Sequence, residues 1–472
     1  MSQPVSHYTP EERQLLGTSY RGLFLLSMFV ICSFNFADRA VFNVLAQAIK
    51  VDLKLSDLQI GLLGGLSFAI LYAALGIPFG RLAERVNRLR IVAAVTAVWS
   101  AMTVFCGLSQ GFLQLMLARI GVGLGEAGFM PPAGSLVADH FPAKRRASAM
   151  SIVMLGTPVG TFAGALIAGW AAEAWSWRAG FYVLGLPGLV VALLVWLVLR
   201  EPPRGLVDNL PKSPSPPPNL RAFFHEVVHR RALRYVIIGG GLAGFGMTAV
   251  SNFLAIFLAR VHHLGTREAG ALFGTISGLS IAIGLLIGAF SSDWLAQRDR
   301  RWSPWIATLG LACAPFVYFV ALHVEGRLPA AVLLTAAAAV LLLFYGPTFG
   351  MIQNLLEPKM RATGTALFTT LYTLIGSGLG PVFVGFMSDH FAQAAFVQGT
   401  FKQMCPGGVA PKGSATPLME ACANASASGV QQALTGAVCV FFLAALAYFM
   451  ASRTLRQDLF VAPAAAPSPA SS

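Results

Sequence analysis

Residues 22–45 read GLFLLSMFVICSFNFADRAVFNVL. Wound as a helix rising 1.5 Å per residue, this run is about 36 Å long and crosses the roughly 30 Å hydrocarbon core of a bilayer. Its only charged residues are Asp38 and Arg39. Comparable apolar runs recur at 57–79, 91–109, 112–136, 148–170 and 179–199, and again at 235–258, 269–290, 304–322, 329–355, 363–387 and 428–451. Lipid offers an open backbone no hydrogen-bond partner, so each run is predicted to be a helix. The fold class expected is an all-α membrane protein with twelve transmembrane helices.

Composition agrees. The chain is 56% hydrophobic and 11% charged, whereas a soluble domain carries roughly 25% charged residues to face water. The net charge of +13 raises the question of nucleic acid, but its distribution answers it. With the N-terminus placed inside, the inner segments carry 23 of the 33 Lys and Arg, the outer segments carry 8, and Arg39 and Arg119 lie within helices. That bias is the positive-inside pattern, and it predicts cytoplasmic termini. The first 20 residues lack the apolar core of a cleaved signal peptide.

Seven prolines between 202 and 218 make a stiff linker. Beyond Asn219, Leu220, Phe223, Phe224, Val227 and Val228 fall at helical spacing before Arg230, Arg231 and Arg234. This reads as a short interfacial helix, with a solvated connector as the alternative. The expected division is a six-helix bundle over 1–199, the linker over 200–234, a second six-helix bundle over 235–452, and a disordered tail over 453–472. The halves repeat. The loop Gly80–Arg90 after the second span has a counterpart at Asp293–Arg301 after the eighth, and Glu84 and Asp293 are 209 residues apart. Arg146 and Arg361 open the fifth and eleventh spans 215 residues apart, which supports a parallel six-plus-six repeat.

Gly80–Arg90 resembles the signature loop of the major facilitator superfamily, departing from it with Glu84 for Asp and Asn87 for Gly. Gly156-Thr157-Pro158-Val159-Gly160, continuing to Gly164, resembles that family's Gly/Pro-rich fifth-helix motif. Asn35-Phe36-Ala37-Asp38-Arg39, Gly121–Ala127 and Ala138-Asp139-His140-Phe141 are similar to the Spinster branch. The resemblance implies a secondary transporter exporting lysolipid or sphingolipid-like molecules, and cytoplasmic gate salt bridges involving Glu84, Arg85, Asp293 and Arg298.

Ionisable groups inside a span cost about 2.5–3.5 kcal/mol each, so they mark function. Four are read as deep: Asp38 and Arg39 on the first span, Arg119 and Glu126 on the fourth. Spans seven, eight, ten and eleven are expected to hold none. Asp38 and Arg119 each lie about 10 Å from the outer surface, so they can meet if the first and fourth helices are neighbours, as the resemblance implies. Asn35 is one turn from Asp38, and Glu126 shares a face with Arg119. Asp38, Glu126 and Arg119 are therefore candidates for proton coupling. A carboxylate moving relative to an arginine changes its proton affinity with conformation. The alternative is a buried ion pair that only fixes packing. Candidates for substrate contact are Asn35, Arg39, Arg119, Asn252, Tyr345, Thr370 and Thr373, the last four on an aromatic, mostly apolar second half suited to an amphipathic ligand.

Other chemistries find no support. The chain has no Walker-type loop, no Gly-x-Ser-x-Gly elbow and no metal-ligand spacing around His262-His263. Cys405 and Cys422 share an outer loop, either as a disulfide or as two thiols. The expectation is a monomeric, non-enzymatic carrier in a bacterial inner membrane. It would use no cofactor beyond protons as coupling ion, and would contact membrane lipids and an amphipathic small molecule but no nucleic acid. The rival readings are a proton-coupled carrier of small organic anions or drugs, and a non-transport membrane protein.

Overall fold

The computed structural model describes residues 14–204, 207, 220–299, 301–357 and 360–458. Among them, twelve helices are long and apolar enough to cross a membrane: Thr18–Asp52, Asp57–Gly76, Arg88–Leu108, Phe112–His140, Lys144–Ala174, Trp177–Val198, Arg231–Val261, Thr266–Ser292, Trp302–His323, Arg327–Leu355, Thr363–Ala395 and Thr416–Asp458. The described residues form no strand. We call the end carrying Thr18 and Asp458 the termini end, and the other the distal end.

Helices outrun their apolar stretches because backbone hydrogen bonding continues until a cap or breaker stops it. The first span reaches Asp52, the seventh Val261 and the eleventh Ala395. The last begins at Thr416 and continues to Asp458, so residues 453–458 are helical rather than part of a disordered tail. The rest of that tail, and most of the proline linker, lie outside the described residues. After the linker comes a helix, Leu220–His229. At its end Arg230 pairs with Glu226 and donates to the carbonyls of Leu355 (2.6 Å) and Asp458 (2.7 Å).

Caps explain two sequence features. Ser56 accepts from the Gln59 backbone N–H (3.1 Å), and the Gln59 side chain accepts from the Ser56 N–H (2.9 Å), a capping box that starts the second span. Asn87, standing where the family loop has Gly, accepts from the Arg90 N–H (2.8 Å) and starts the third. The eleventh span contains a π-helical segment, Tyr372–Leu379. Thr248 of the seventh span donates to its Gly376 carbonyl (2.6 Å), satisfying a backbone group that lipid could not.

The main junctions between the first and second six spans are spans 1 with 7, 2 with 11, and 5 with 8. They are tightest at the distal end. A Cβ added at Gly61 would lie 2.2 Å from the Pro381 carbonyl oxygen, so the backbones of spans 2 and 11 touch there.

Cys405 and Cys422 form a disulfide, and both are buried. With Phe396, Phe401 and Ala425 they make a small apolar core over the distal end. This staple carries the turn Pro406–Gly408. Gly408 has φ +82°, and a Cβ there would lie 3.0 Å from Lys50 Nζ and 2.7 Å from Ser426 Oγ. Only glycine lets the turn settle onto Lys50 in this conformation. Replacing both cysteines by serine is expected to cost this segment about 3 kcal/mol of local stability. Amide exchange should then quicken over residues 50–58 as well as 396–416. Exchange at 50–58 that stays at the wild-type rate would show that the turn does not protect the helix ends beneath it.

Candidate functional site

The first polar cluster lies within the first six spans. Asp38 (2% exposed), Glu126 (1%) and Arg119 (3%) are all buried. Arg39, not Arg119, holds Glu126: its Nε donates to Glu126 Oε2 at 2.7 Å. Arg39's side chain is 30% exposed while that of Glu126 is 0% exposed, so the pair joins a buried carboxylate to an open guanidinium. Phe68 (4.7 Å), Phe36 (5.2 Å) and Tyr72 (5.2 Å) surround that guanidinium with aromatic faces.

The meeting of Asp38 with Arg119 does not occur as an ion pair. Arg119 turns its guanidinium over Phe42 (4.7 Å), and its Nε donates to the Leu63 carbonyl (3.3 Å). That carbonyl belongs to the second span. Helix rise gives depth but not which neighbour a side chain turns toward. Asp38 is bonded instead to Thr103 of the third span at 3.0 Å. One oxygen of each of these two carboxylates, Asp38 Oδ1 and Glu126 Oε1, has no hydrogen-bond partner among the described residues. Asn35 is buried beside this group.

The second half presents an aromatic wall. Tyr345 packs on Phe349 (5.2 Å) and Tyr372 (6.2 Å), and Phe368 packs on Phe349 (5.3 Å) and Tyr372 (5.9 Å). Tyr345 and Tyr372 lie within electrostatic range of Arg39. The Tyr372 hydroxyl reaches Met247 Sδ (3.8 Å), and behind Met247 is a cavity of about 100 Å³. Leu254, Ile276, Leu341, Tyr318 and Ser277 help to line it. Of the other candidates, Thr373 is buried in the π-helical segment and Thr370 is half-buried. Asn252 packs against Gly64 at the junction of spans 2 and 7, with its Nδ2 donating to the Thr248 carbonyl (2.9 Å).

A second polar cluster lies at the distal end, and the sequence reading missed it. Asp57 accepts from Lys50 (2.7 Å), from two nitrogens of Arg260 (2.7 and 2.8 Å) and from Ser388 (2.8 Å). Asp389 accepts from the backbone N–H groups of Asp57 and Leu58, both at 2.9 Å. The eleventh span thus caps the second span from across the junction of the halves. Lys50 and Asp57 are 1% exposed and Arg260 is 8%. The expectation that spans seven and eleven hold no ionisable group is therefore corrected. Arg260 and Asp389 lie inside Arg231–Val261 and Thr363–Ala395, a few residues past where hydropathy falls away.

The expected gate groups are placed differently. Glu84 and Arg85 are exposed, and neither is in an ion pair found among the described residues. Arg298 is exposed and stacks over Trp294 (4.6 Å), while the side chain of Asp293 lies outside the description. At the termini end Arg88, almost fully buried, pairs with Asp139 and with Glu201 (2.6 Å), and Arg456 pairs with Asp299 (2.6 Å). These pairs stay within one half, whereas Asp57–Arg260 joins the two. His140, next to Asp139, stacks on Phe24 at 4.0 Å.

The model of the Major Facilitator Superfamily matches residues 28–396. This chain belongs to the major facilitator superfamily. It is a secondary transporter of that family, not an enzyme, and it is related to the Spinster branch. The chain is 33% identical over 361 residues to an MFS-type efflux pump of Mycolicibacterium smegmatis, covering 76% of this chain and 82% of the pump. It is 28% identical over 401 residues to protein spinster homolog 1 of Xenopus tropicalis, covering 80% and 76%. Among solved structures it resembles a bacterial homolog of the human lysosomal transporter Spinster in an inward-facing, unoccupied conformation. The TM-score is 0.84 at 32% identity, covering 95% of this chain and all of the other. No cluster of His, Cys, Asp or Glu able to hold a metal is found among the described residues of the transporter.

Proposed function

We propose that this transporter exports an amphipathic anion, a lysophospholipid or sphingolipid-like molecule, by proton-coupled alternating access. The observation that carries the reading is Arg39. Its guanidinium is held by buried Glu126 yet partly open, and it lies within electrostatic range of an aromatic wall with an apolar cavity behind it. An anionic headgroup suits the guanidinium, with Arg119 and Asn35 nearby, and a hydrocarbon chain suits the wall and the cavity. Headgroup and Glu126 compete for Arg39. A proton on Glu126 weakens its hold on the arginine, so the protonation of Glu126 and the occupancy of the anion site are linked through Arg39.

Glu126 Oε1 and Asp38 Oδ1 support proton uptake, because an unpartnered oxygen in a dry interior costs less when its carboxyl is neutral. The Asp57 cluster serves as the distal gate. With that gate closed and the similar structure inward-facing, the conformation reads as open toward the termini end. Lys and Arg distribution supports cytoplasmic termini, and a disulfide on the distal face fits an oxidising compartment beyond a bacterial inner membrane. We take the working unit to be a monomer.

Thermal unfolding in detergent tests the substrate class. A lysophospholipid at a hundredfold excess over Kd should stabilise the protein by about 2.7 kcal/mol, and a hexuronate should not. The opposite ranking would favour a small organic-anion carrier, the rival suggested by relatives such as the hexuronate transporter of Bacillus subtilis, 27% identical over 285 residues. Filling the cavity with Ser277→Trp should shift preference toward shorter chains, at about 0.8 kcal/mol per methylene displaced. An unchanged chain-length preference would remove the tail from this cavity.

A further inference from the structure

Among the described residues, Asp38 is the buried carboxylate with no arginine paired to it. The groups facing it are few. Thr103 and Cys106 lie on the third span, Arg119 and Glu126 on the fourth, and Arg39 is its neighbour on its own helix. Of these, only Thr103 is hydrogen-bonded to it among the described contacts.

Thr103 is 2% exposed, and its Oγ1 lies 3.0 Å from Asp38 Oδ2 and also 3.0 Å from the Trp99 carbonyl oxygen. A hydroxyl has one proton to donate and two lone pairs with which to accept. It cannot serve both oxygens fully as a donor, so the pattern has two solutions. With Asp38 ionised, Thr103 donates to the carboxylate. With Asp38 protonated, the carboxyl O–H donates to Thr103, and the threonine proton turns to the Trp99 carbonyl one helical turn back. Rotation about the Cβ–Oγ bond interchanges the two without moving a heavy atom.

We propose that Thr103 is the positioning residue for the proton at Asp38, keeping that carboxyl hydrogen-bonded in both its charged and its neutral state. The proposal rests on the proton-coupling reading above. The proton that loads Asp38 comes from the aqueous phase and returns to it, while Thr103 neither gains nor loses one. Without this hydroxyl, neither state of Asp38 would have a hydrogen-bond partner on Oδ2, and a buried unpartnered carboxyl gives up or takes its proton against a desolvation cost.

The test needs no substrate. Infrared difference spectra of the full chain in lipid bilayers, recorded between two pH values, report the C=O stretch of a carboxylic acid that gains a proton. The expected result is a band present in the wild type and absent from Asp38→Asn. In Thr103→Val, which keeps the shape and removes the hydroxyl, the band should move to the higher frequency of a free carboxylic acid. In Thr103→Ser it should return. A band lost in Asp38→Asn but unmoved in Thr103→Val overturns the role of Thr103 alone. No band lost in Asp38→Asn overturns proton uptake at Asp38, and the Thr103 role with it.

Discussion

Asp57→Asn should open the distal face. Asp57 is the one acid placed between Lys50 and Arg260, and it also accepts from Ser388. Losing its charge leaves two buried cations with Asp389 as the remaining nearby anion, and Asp389 is already bonded to backbone N–H groups. Breaking a buried pair on one side costs about 3–5 kcal/mol. The cost falls on the closed distal conformation, because Arg260 and Ser388 belong to the second half and separate from Asp57 when that end opens. A shift of this size moves a conformational ratio by about a hundredfold or more. Spin labels at Val51 and Glu268, on opposite halves of the distal end, should therefore show a new, longer distance in Asp57→Asn. Arg260→Gln should show the same. A distance distribution identical to the wild type in both variants would mean that the cluster stabilises the fold without gating it.

Glu126→Gln should uncouple transport from protons. The substitution mimics a permanently protonated carboxyl and releases Arg39 from its 2.7 Å bond. A hydrogen bond between charged groups contributes about 1.5–3 kcal/mol, so an anionic ligand should bind about ten to a hundred times more tightly. That affinity should no longer vary with pH, and a pH gradient should no longer drive accumulation in liposomes. Arg39→Gln should show the reverse on affinity, with anion binding lost. Gradient-driven accumulation at the wild-type rate in Glu126→Gln would remove Glu126 from the coupling and leave it a packing residue.

The sequence marked Asp38, Arg119 and Glu126 as charges within helices but did not fix their partners. Seven residues of helix put Asp38 and Arg119 at one depth, but two helices at the same depth can present those side chains to different neighbours. Here the Leu63 carbonyl and Phe68 of the second span engage Arg119, and Thr103 of the third span bonds Asp38. Arg39, one residue on, points elsewhere on the helix and reaches Glu126 instead. The distal cluster was hidden for another reason. Hydropathy falls at a charge, so a reading based on apolar runs ends a helix where its charged end begins; Lys50, Arg260 and Asp389 lie past such ends, and Asp57 is the first residue of the 57–79 run.

From its residue pattern alone, the chain determined twelve apolar helices and marked Asp38, Arg119 and Glu126 as charges buried within them. These follow from the demand of lipid that every backbone group be bonded within its own segment and every buried charge have a purpose. Only the tertiary structure decided which charge meets which, that Cys405 joins Cys422, and that the two halves are clamped at one end. Those depend on helix rotation and crossing. Both are set by close packing among many side chains, and neither leaves a periodic trace in a single sequence.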